Sequence, residues 1–330
     1  IHKKLKISKK TNLIPVNSKN FIIDLLCSKF MMFAQAYLIY YFNKYNKNNY
    51  QFVFSASGEF FSKFKTIQYI HICIFSLNFF EYKNFGLSNP FKKFARFLSA
   101  ILCRIFLRID KKKFKKVYTL TNSQWSLERI NKTYIINNKK VLYPTFKIPT
   151  YKKNDLKKFN KRDNKLVVLG RVSEDKKIIE AINFFNRIKK ILQDAELHII
   201  GPIDKNYLRK IKLKIKDFEK VFFHGLISLN KRDNLLKRSK YGLNCFYSEH
   251  FGRSTLEMQK LGMIVFAKNA GGVREILLSD FQKFHNYNEL FDNIIKIHFD
   301  SEIKEQILIN NKKLFEKSLT DRQFSKSFIS

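Results

Sequence analysis

The sequence has few of the residues that hold metal clusters, disulfides and tight turns. Its 330 residues include ten glycines, five prolines, one tryptophan and four cysteines, which are Cys27, Cys73, Cys103 and Cys245. No two cysteines form a C-x-x-C pair, so a thiolate metal site is not expected. Scattered cysteines of this kind favour a reducing, cytosolic setting.

Long uninterrupted apolar runs are also missing. The longest apolar zone covers residues 21–42, and Asp24, Lys29 and Gln35 interrupt it. These polar positions make the zone a poor bilayer span. We therefore expect any membrane association to be peripheral.

A second apolar zone, residues 94–109, carries Arg96, Arg104 and Arg108. Arginines on an otherwise apolar helix indicate a helix that lies on a membrane surface. The same pattern also fits a buried helix with one polar edge. The sequence leaves both interpretations open.

Acidic residues are scarce. The chain has 64 Lys and Arg against 27 Asp and Glu, for a net charge of +37, and the first 160 residues have 31 basic against 6 acidic residues. Such a field attracts phosphate-bearing partners, either nucleic acid or an anionic lipid surface. A compositional bias toward Lys, Asn, Ile and Phe would produce the same excess without any binding role.

The second half of the sequence alternates between short apolar runs and helical patterns. Strands are predicted at 165–170, 196–201, 221–225, 241–245 and 264–267, and helices at 178–192, 207–218, 231–239, 254–261, 289–298 and 304–317. This alternation predicts an α/β fold with a doubly wound parallel sheet.

The first half predicts a second α/β sheet. Strands are expected at 50–54, 66–70, 116–120 and 140–143, with helices at 30–43 and 91–109. The predicted organisation is a first domain over 1–150, a linker over 151–164 and a second domain over 165–312, with the terminal helix, 313–330, packing back on the first domain.

Candidate chemistry follows three strands of the second half, at their carboxyl ends, where ligands bind in open α/β sheets. Gly170-Arg171-Val-Ser-Glu-Asp-Lys176 opens a helix, and its two cations could bind a diphosphate beside the helix N-terminus. The alternative is a basic turn with a solvated face.

The segment from Glu249 to Glu257 follows the fourth strand of the second half. Gly252 would let the backbone approach a ligand, and the N–H groups of residues 252–254 could face a phosphate. The alternatives are a solvated loop carboxylate at Glu249 and a capping box formed by Ser254-x-x-Glu257.

A third loop, Ala270-Gly271-Gly272, follows the fifth strand. It offers a further set of backbone donors at the same sheet edge, and Glu275 lies one turn into the helix expected to follow. The alternative is a plain turn from strand to helix.

Taken together, these motifs resemble the donor half of family-4, or group 1, retaining glycosyltransferases. The order is Arg171 and Lys176, then Glu249 and Glu257, then Gly271-Gly272, over about residues 165–280. The resemblance implies a GT-B fold, in which two Rossmann-like doubly wound domains face a cleft. It also implies transfer of a hexose from a nucleotide sugar.

The resemblance assigns roles to these residues. Arg171 and Lys176 bind the donor diphosphate and stabilise the leaving group, Glu249 lies by the donor sugar, and Glu257 holds the ribose hydroxyls. His71 lies in the cleft near the sugar or acceptor, or is an ordinary histidine at a strand end. The other donor-binding residues expected are Gly170, Phe251, Gly252, Arg253, Ser254, Gly271 and Gly272.

This chemistry needs no metal. Cations and a helix N-terminus stabilise the charge that grows on a departing diphosphate, and each such group is typically worth about 3–4 kcal/mol. The sequence contains no Asp-x-Asp triplet. Neither a metal nor another cofactor is expected.

A narrower resemblance is to the eukaryotic Alg11-type α-1,2-mannosyltransferases. It rests on four segments besides Tyr69-Ile-His71, namely Glu249-His-Phe-Gly, Lys268-Asn-Ala-Gly-Gly272, Thr121-Asn-Ser-Gln-Trp125 and Val141-Leu-Tyr-Pro144. It implies GDP-mannose as donor, a polyprenyl-diphosphate oligosaccharide as acceptor, and a peripheral position on the cytosolic face of an anionic membrane.

One departure from the family concerns the start of the acceptor domain. Family members begin with a strand and a Gly-rich loop, and none precedes Phe21 here. We expect the first domain to be truncated in this chain. Near the other end, Thr320 to Ile329 resembles the family's terminal helix.

Three alternatives stay open at this level. One is a bacterial-type group 1 enzyme of surface polysaccharide with a UDP-sugar donor. Another is a basic nucleic-acid-binding protein, although no nucleic-acid motif occurs and no specific nucleic acid is expected. The last is an inactive GT-B scaffold.

Overall fold

The computed structural model describes residues 31–46, 49–56, 58–78, 90–146, 155–317 and 319–329. The strands of this part of the chain form two parallel sheets, one from each half. Residues 1–30 lie outside the described part, so the expected truncation of the first domain stays a prediction.

The first sheet has four strands in the order β1-β2-β3-β4, each close to its predicted position. They are β1 (Phe52–Ser55), β2 (Lys65–Ile70), β3 (Tyr118–Thr121) and β4 (Lys139–Val141), accompanied by the helices α1 (Met31–Tyr45), α2 (Pro90–Phe106) and α3 (Gln124–Thr133).

The core of the first domain is built around large apolar side chains and one carboxylate. Phe75 and Phe114 are fully buried, and so is Glu59. The Glu59 carboxylate accepts hydrogen bonds from the Ile74 and Phe75 N–H groups and from the Tyr134 hydroxyl. Burial raises the pKa of Glu59. These bonds satisfy a buried polar group, so Glu59 fixes the loop after β2 against the core.

The second sheet has six parallel strands in the order β10-β9-β8-β5-β6-β7. The strands are β5 (Asp163–Leu169), β6 (Glu196–Ile200), β7 (Val221–Gly225), β8 (Ser239–Asn244), β9 (Ile264–Lys268) and β10 (Lys283–Phe284). The helices are α4 (Asp155–Asn160), α5 (Ile178–Ile188), α6 (Lys205–Lys214), α7 (Leu229–Arg238), α8 (Arg253–Lys260), α9 (Tyr287–Phe299), α10 (Ser301–Lys317) and α11 (Asp321–Ile329).

Side chains of β5 enter two separate cores. Leu166 and Val168 join one apolar cluster, and Val167 joins the other. Successive side chains of a strand point to opposite faces, so both faces of the sheet are covered. The predicted doubly wound α/β architecture is confirmed.

Two predicted boundaries differ from the observed elements. The segment 151–164 was expected to be a linker, but residues 155–160 form α4. Phe159 of this helix is buried against Tyr241, in the same apolar cluster of the second domain as Leu166. Residues 151–154 lie outside the described part. The boundary expected at residue 312 falls within α10.

No helix among the described residues is long and apolar enough to cross a bilayer.

Candidate active site

A tight turn after β5 carries the first pair of candidate residues. Residues 174–176 form a single 3₁₀ turn, in which the Lys176 N–H donates to the Ser173 carbonyl at 3.0 Å. The Ser173 hydroxyl donates to the Asp175 carboxylate at 2.6 Å. Lys177 then adopts a left-handed conformation, and α5 begins. The turn holds Lys176 at the carboxyl edge of the sheet.

Lys176 and Glu249 meet at this edge. The Lys176 Nζ atom lies 3.1 Å from Glu249 Oε2 and 4.2 Å from the centre of the Phe246 ring, and both charged side chains are largely buried. Arg171 differs, because its side chain is 69% exposed and its guanidinium is 3.8 Å from Asp175. The structure therefore gives one cation a fixed partner and leaves the other solvent-accessible.

Glu257 has an ionic partner that the sequence analysis missed. Its carboxylate accepts a hydrogen bond at 3.2 Å from Arg232, in the first turn of α7. That turn follows β7, so Arg232 reaches the same sheet edge. A general signal existed, since the first turn of any helix after a parallel strand lies at this edge. The sequence did not show which of these residues faces Glu257.

The capping box considered for Ser254 and Glu257 does not form. The residue at the N-cap of α8 is Gly252, which has a φ of +96° and makes no side-chain capping bond. A Cβ atom at this position would lie 2.9 Å from a Val273 methyl group. Gly252 is therefore required by its left-handed backbone and by the protein's own packing.

The neighbours of Gly252 face different surroundings. Phe251 is 2% exposed, and its ring stacks on Tyr143 at 5.9 Å, so it belongs to the core between the two halves. Arg253 is exposed at the start of α8, and Ser254 is half-buried.

The Gly271-Gly272 loop packs directly on the Glu249 loop. The Gly272 N–H donates to the Glu249 carbonyl at 2.7 Å. A Cβ atom on Gly272 would lie 2.0 Å from the His250 carbonyl oxygen. The residues that follow form a single 3₁₀ turn, Gly272–Glu275, where a longer helix was expected. The glycines thus fix the shape of the Glu249 loop.

Glu275 connects the two domains. Its carboxylate accepts hydrogen bonds from the Gln124 and Trp125 N–H groups, at 2.9 and 2.8 Å, and from the Tyr143 hydroxyl at 2.9 Å. The first N–H groups of α3 are thereby satisfied by a carboxylate from the other domain, which also suits the helix dipole.

A second inter-domain contact involves Ser123, the N-cap residue of α3. Its hydroxyl accepts from the Ser126 N–H and donates to the His250 carbonyl at 2.7 Å. The Trp125 ring meets the His250 ring edge-on at 5.2 Å. The loop that carries Glu249 is therefore held from the first domain as well.

Two histidines of the site have lowered pKa values. Burial lowers the pKa of His250 to about 4. His71 follows β2, with its ring 4.7 Å from that of Tyr69, and partial burial followed by the charge of Arg253 lowers its pKa. Both imidazoles are neutral near pH 7. Since the charge of Arg253 acts on His71, residues of both domains face one cleft.

Most of the predicted site residues thus gather along the facing edges of the two sheets, with Phe251 turned into the core. A family model described as "Glycosyl transferases group 1" matches residues 152–314. The fold is GT-B, and the second domain belongs to the group 1 glycosyltransferases.

Curated relatives match just under half of the chain. The chain is 24% identical over 178 residues to a protein of Debaryomyces hansenii named GDP-Man:Man(3)GlcNAc(2)-PP-Dol alpha-1,2-mannosyltransferase, with 47% of this chain and 28% of the relative covered. The protein of the same name from Homo sapiens is 26% identical over 167 residues, with 46% and 34% covered. The match spans about a third or less of these relatives' own length.

Solved structures match the fold over nearly the whole chain. A sucrose-phosphate synthase from Thermosynechococcus elongatus has a TM-score of 0.64 at 14% identity, covering 98% of this chain and 81% of its own. The HepE protein of Anabaena, solved with UDP-glucose, has a TM-score of 0.61 at 15% identity, covering 96% and 85%.

Proposed function

We propose that this chain is a retaining hexosyltransferase that moves mannose from GDP-mannose to a lipid-linked oligosaccharide. The observation that carries the proposal is the meeting of Lys176 with Glu249 at 3.1 Å, at the sheet edge where the turn with Arg171 and helix α8 with Glu257 also begin. The names of the curated relatives supply the donor and the dolichyl-diphosphate acceptor class.

Lys176 and Arg171 act on the leaving group. As the bond from the sugar to the diphosphate breaks, negative charge grows on the diphosphate oxygens. Lys176 is held in place by Glu249 and by the Phe246 ring, so it needs little reorganisation to meet that charge. Arg171 is exposed and can turn its guanidinium onto the same phosphates.

Glu257 and Glu249 bind the two ends of the donor. Arg232 orients the Glu257 carboxylate, whose other lone pairs can accept hydrogen bonds from ribose hydroxyls. Glu249 lies beside Lys176 and therefore next to the diphosphate, where the sugar is attached. Neutral His71 faces the cleft from the first domain and contacts the sugar or acceptor.

The place of action proposed is the cytosolic face of a membrane, with the protein bound peripherally. Two observations support it. The first half of the chain is strongly basic, and the acceptor named for the relatives is attached to dolichyl diphosphate. An anionic surface would attract the first domain and would also present the acceptor.

The test combines nucleotide binding with sugar transfer. Calorimetry with GDP and UDP measures which base is bound, and labelled GDP-mannose, UDP-glucose and UDP-N-acetylglucosamine are then offered with a polyprenyl-diphosphate acceptor. The proposal is supported if the parent transfers mannose from GDP-mannose, if Lys176→Ala abolishes this transfer and if Lys190→Ala preserves it. Lys190 is the matched control because it is an exposed lysine of the same domain. A parent that binds neither nucleotide contradicts it.

A UDP-sugar donor is the second candidate, because the similar Anabaena structure holds UDP-glucose. The same titration separates the two, since UDP binding without GDP binding favours this candidate. Tight nucleotide binding without transfer to any acceptor indicates an inactive scaffold.

A further inference from the structure

Helix α2 exposes an apolar stripe. Phe94, Leu98, Leu102 and Ile105 recur every three or four residues, so they lie on one face of the helix. Their side chains are 53, 43, 59 and 69% exposed. The stripe runs for about 17 Å along the helix at 1.5 Å per residue. Isolated exposed apolar residues are common, but a continuous row of this length marks an interaction surface.

The opposite face of α2 packs on the first domain and includes one polar side chain. Ala100 and Cys103 are buried, as is Leu107 directly after the helix. Arg104 turns inward, where its guanidinium donates to the Phe75 carbonyl at 3.3 Å and lies 5.5 Å from the centre of the Tyr134 ring. The helix therefore buries Ala100 and Cys103, turns Arg104 inward and exposes its larger apolar side chains. The earlier alternative of a buried helix with a polar edge does not describe it.

A lysine-rich cavity lies beyond the end of α2. Its volume is about 840 Å³, and it opens at the amino ends of β2 and β3. One acidic residue, Asp110, is among its lining residues, against six lysines, which are Lys63, Lys65, Lys112, Lys113, Lys115 and Lys116. The lining of this cavity therefore favours an anionic ligand.

Helix α1 joins the stripe to the cavity. The Tyr40 ring packs on Phe106, at the end of α2, with centroids 5.0 Å apart. One turn further along α1, Asn43 lines the cavity and donates to the Phe61 carbonyl. Tyr45, at the end of α1, is 53% exposed. Apolar stripe, tyrosines and lysines thus form one surface, which we name the α2 surface.

We infer that the α2 surface docks on an anionic lipid bilayer, with the stripe between the headgroups and the lysine cavity on lipid phosphates. An apolar helix face needs an apolar partner, and the lysines need an anionic one. The interface of an anionic bilayer offers both, and it also favours tyrosine rings. A nucleic acid would satisfy the lysines but not the stripe. The inference rests on the proposed function for its biological setting, but it is tested without sugar transfer.

The test is flotation of the full chain with two kinds of vesicle. The parent is expected to float with phosphatidylcholine vesicles that contain phosphatidylserine and to stay in solution with phosphatidylcholine alone. L102Q/I105Q should weaken partitioning at least about tenfold, because two exposed apolar side chains that would insert into the bilayer are lost. K112A/K113A/K115A/K116A should weaken it further and flatten its salt dependence.

Matched controls come from the second domain. L213Q/L226Q removes two leucines that are more than 80% exposed, and K205A/K212A/K214A/K216A removes four exposed lysines. Both should float like the parent. Transfer to a water-soluble acceptor should be unchanged in L102Q/I105Q, so loss of membrane binding and failure of the proposed function give different results.

Three results overturn the inference. The first is a parent that does not float with the phosphatidylserine vesicles, and the second is a parent that RNA displaces from them at equal charge. The third comes from Leu98→Trp, which decides the question if the double variant misfolds. Its added emission should shift to the blue and be quenched by brominated lipid, and an unchanged spectrum on binding places the contact elsewhere.

Discussion

The Lys176 ammonium lies 3.1 Å from the Glu249 carboxylate, and both groups are largely buried. The cation proposed to stabilise a departing diphosphate thus has a carboxylate partner within the protein itself. A diphosphate must compete with Glu249 for Lys176. This pairing keeps a buried charge satisfied at a cost in nucleotide affinity.

Glu249→Gln should therefore tighten binding of the nucleoside diphosphate while slowing sugar transfer. The amide removes both the competing charge and its repulsion of phosphate, and a gain of about threefold to tenfold is expected at a partly exposed pair. Calorimetry with GDP or UDP measures it. Glu219→Gln, at an exposed carboxylate, should change nothing. Weaker binding by Glu249→Gln would mean that Glu249 contacts the nucleotide favourably.

Arg232→Ala should weaken nucleotide binding through Glu257. Without the guanidinium the carboxylate loses its orienting bond, which at a half-buried position costs about 1–2 kcal/mol of binding. Glu257→Ala should have a similar effect, and the double variant should be no worse than the worse single variant. Arg209→Ala, at an exposed position of α6, is the control. Additive losses would show that Arg232 and Glu257 bind separate parts of the donor.

Glu275→Ala should destabilise the protein by about 1–3 kcal/mol, because two α3 N–H groups and the Tyr143 hydroxyl lose their acceptor. Urea unfolding measures this change. The matched control is Glu128→Ala, which removes a half-exposed carboxylate 3.9 Å from Arg274 at the same interface. Glu128→Ala should leave the free energy of unfolding almost unchanged. Equal losses would mean that charge alone, and not helix capping, links the domains.

Stability should fall on acidification because of His250. Its pKa is lowered from 6.5 to about 4 in the folded chain, so the unfolded chain takes up the proton first. The contribution of neutral His250 to the free energy of unfolding is fully present above pH 6.5 and is lost as the pH falls toward 4. The loss amounts to about 2 kcal/mol between pH 7 and pH 5. His250→Gln should reduce this slope in unfolding curves. The lowered pKa values of His198 and His224 act in the same direction and remain in the variant.

The sequence predicted the second domain well because each of its strands and helices follows from a pattern within a short stretch of residues. Each predicted strand of that half is present, and α5 begins at Ile178 as expected, with Ile182 and Phe185 buried at helical spacing. Parallel strands also end at a common edge, so the approximate position of the site followed from connectivity alone.

Contacts between distant segments could not be predicted in this way. Arg232 reaches Glu257 across 25 residues, and Glu275 reaches Trp125 across 150. The spacing of apolar residues along the sequence does not predict such pairs. A capping box was the alternative that the spacing of Ser254 and Glu257 offered, but the N-cap of α8 is Gly252, two residues earlier, whose left-handed backbone packs against Val273. The Gly271-Gly272 loop was expected to face a ligand, whereas the Gly272 N–H is bound to Glu249.

The chain's single tryptophan lies at the contact between the two domains. The Trp125 N–H is bound by Glu275, and its indole ring contacts His250 from one domain and the Arg129 guanidinium from the other. Its environment therefore changes whenever the domains move relative to each other. The protein carries an intrinsic optical reporter at this contact, so any rearrangement of the contact on nucleotide addition is measurable by stopped-flow fluorescence without an attached dye.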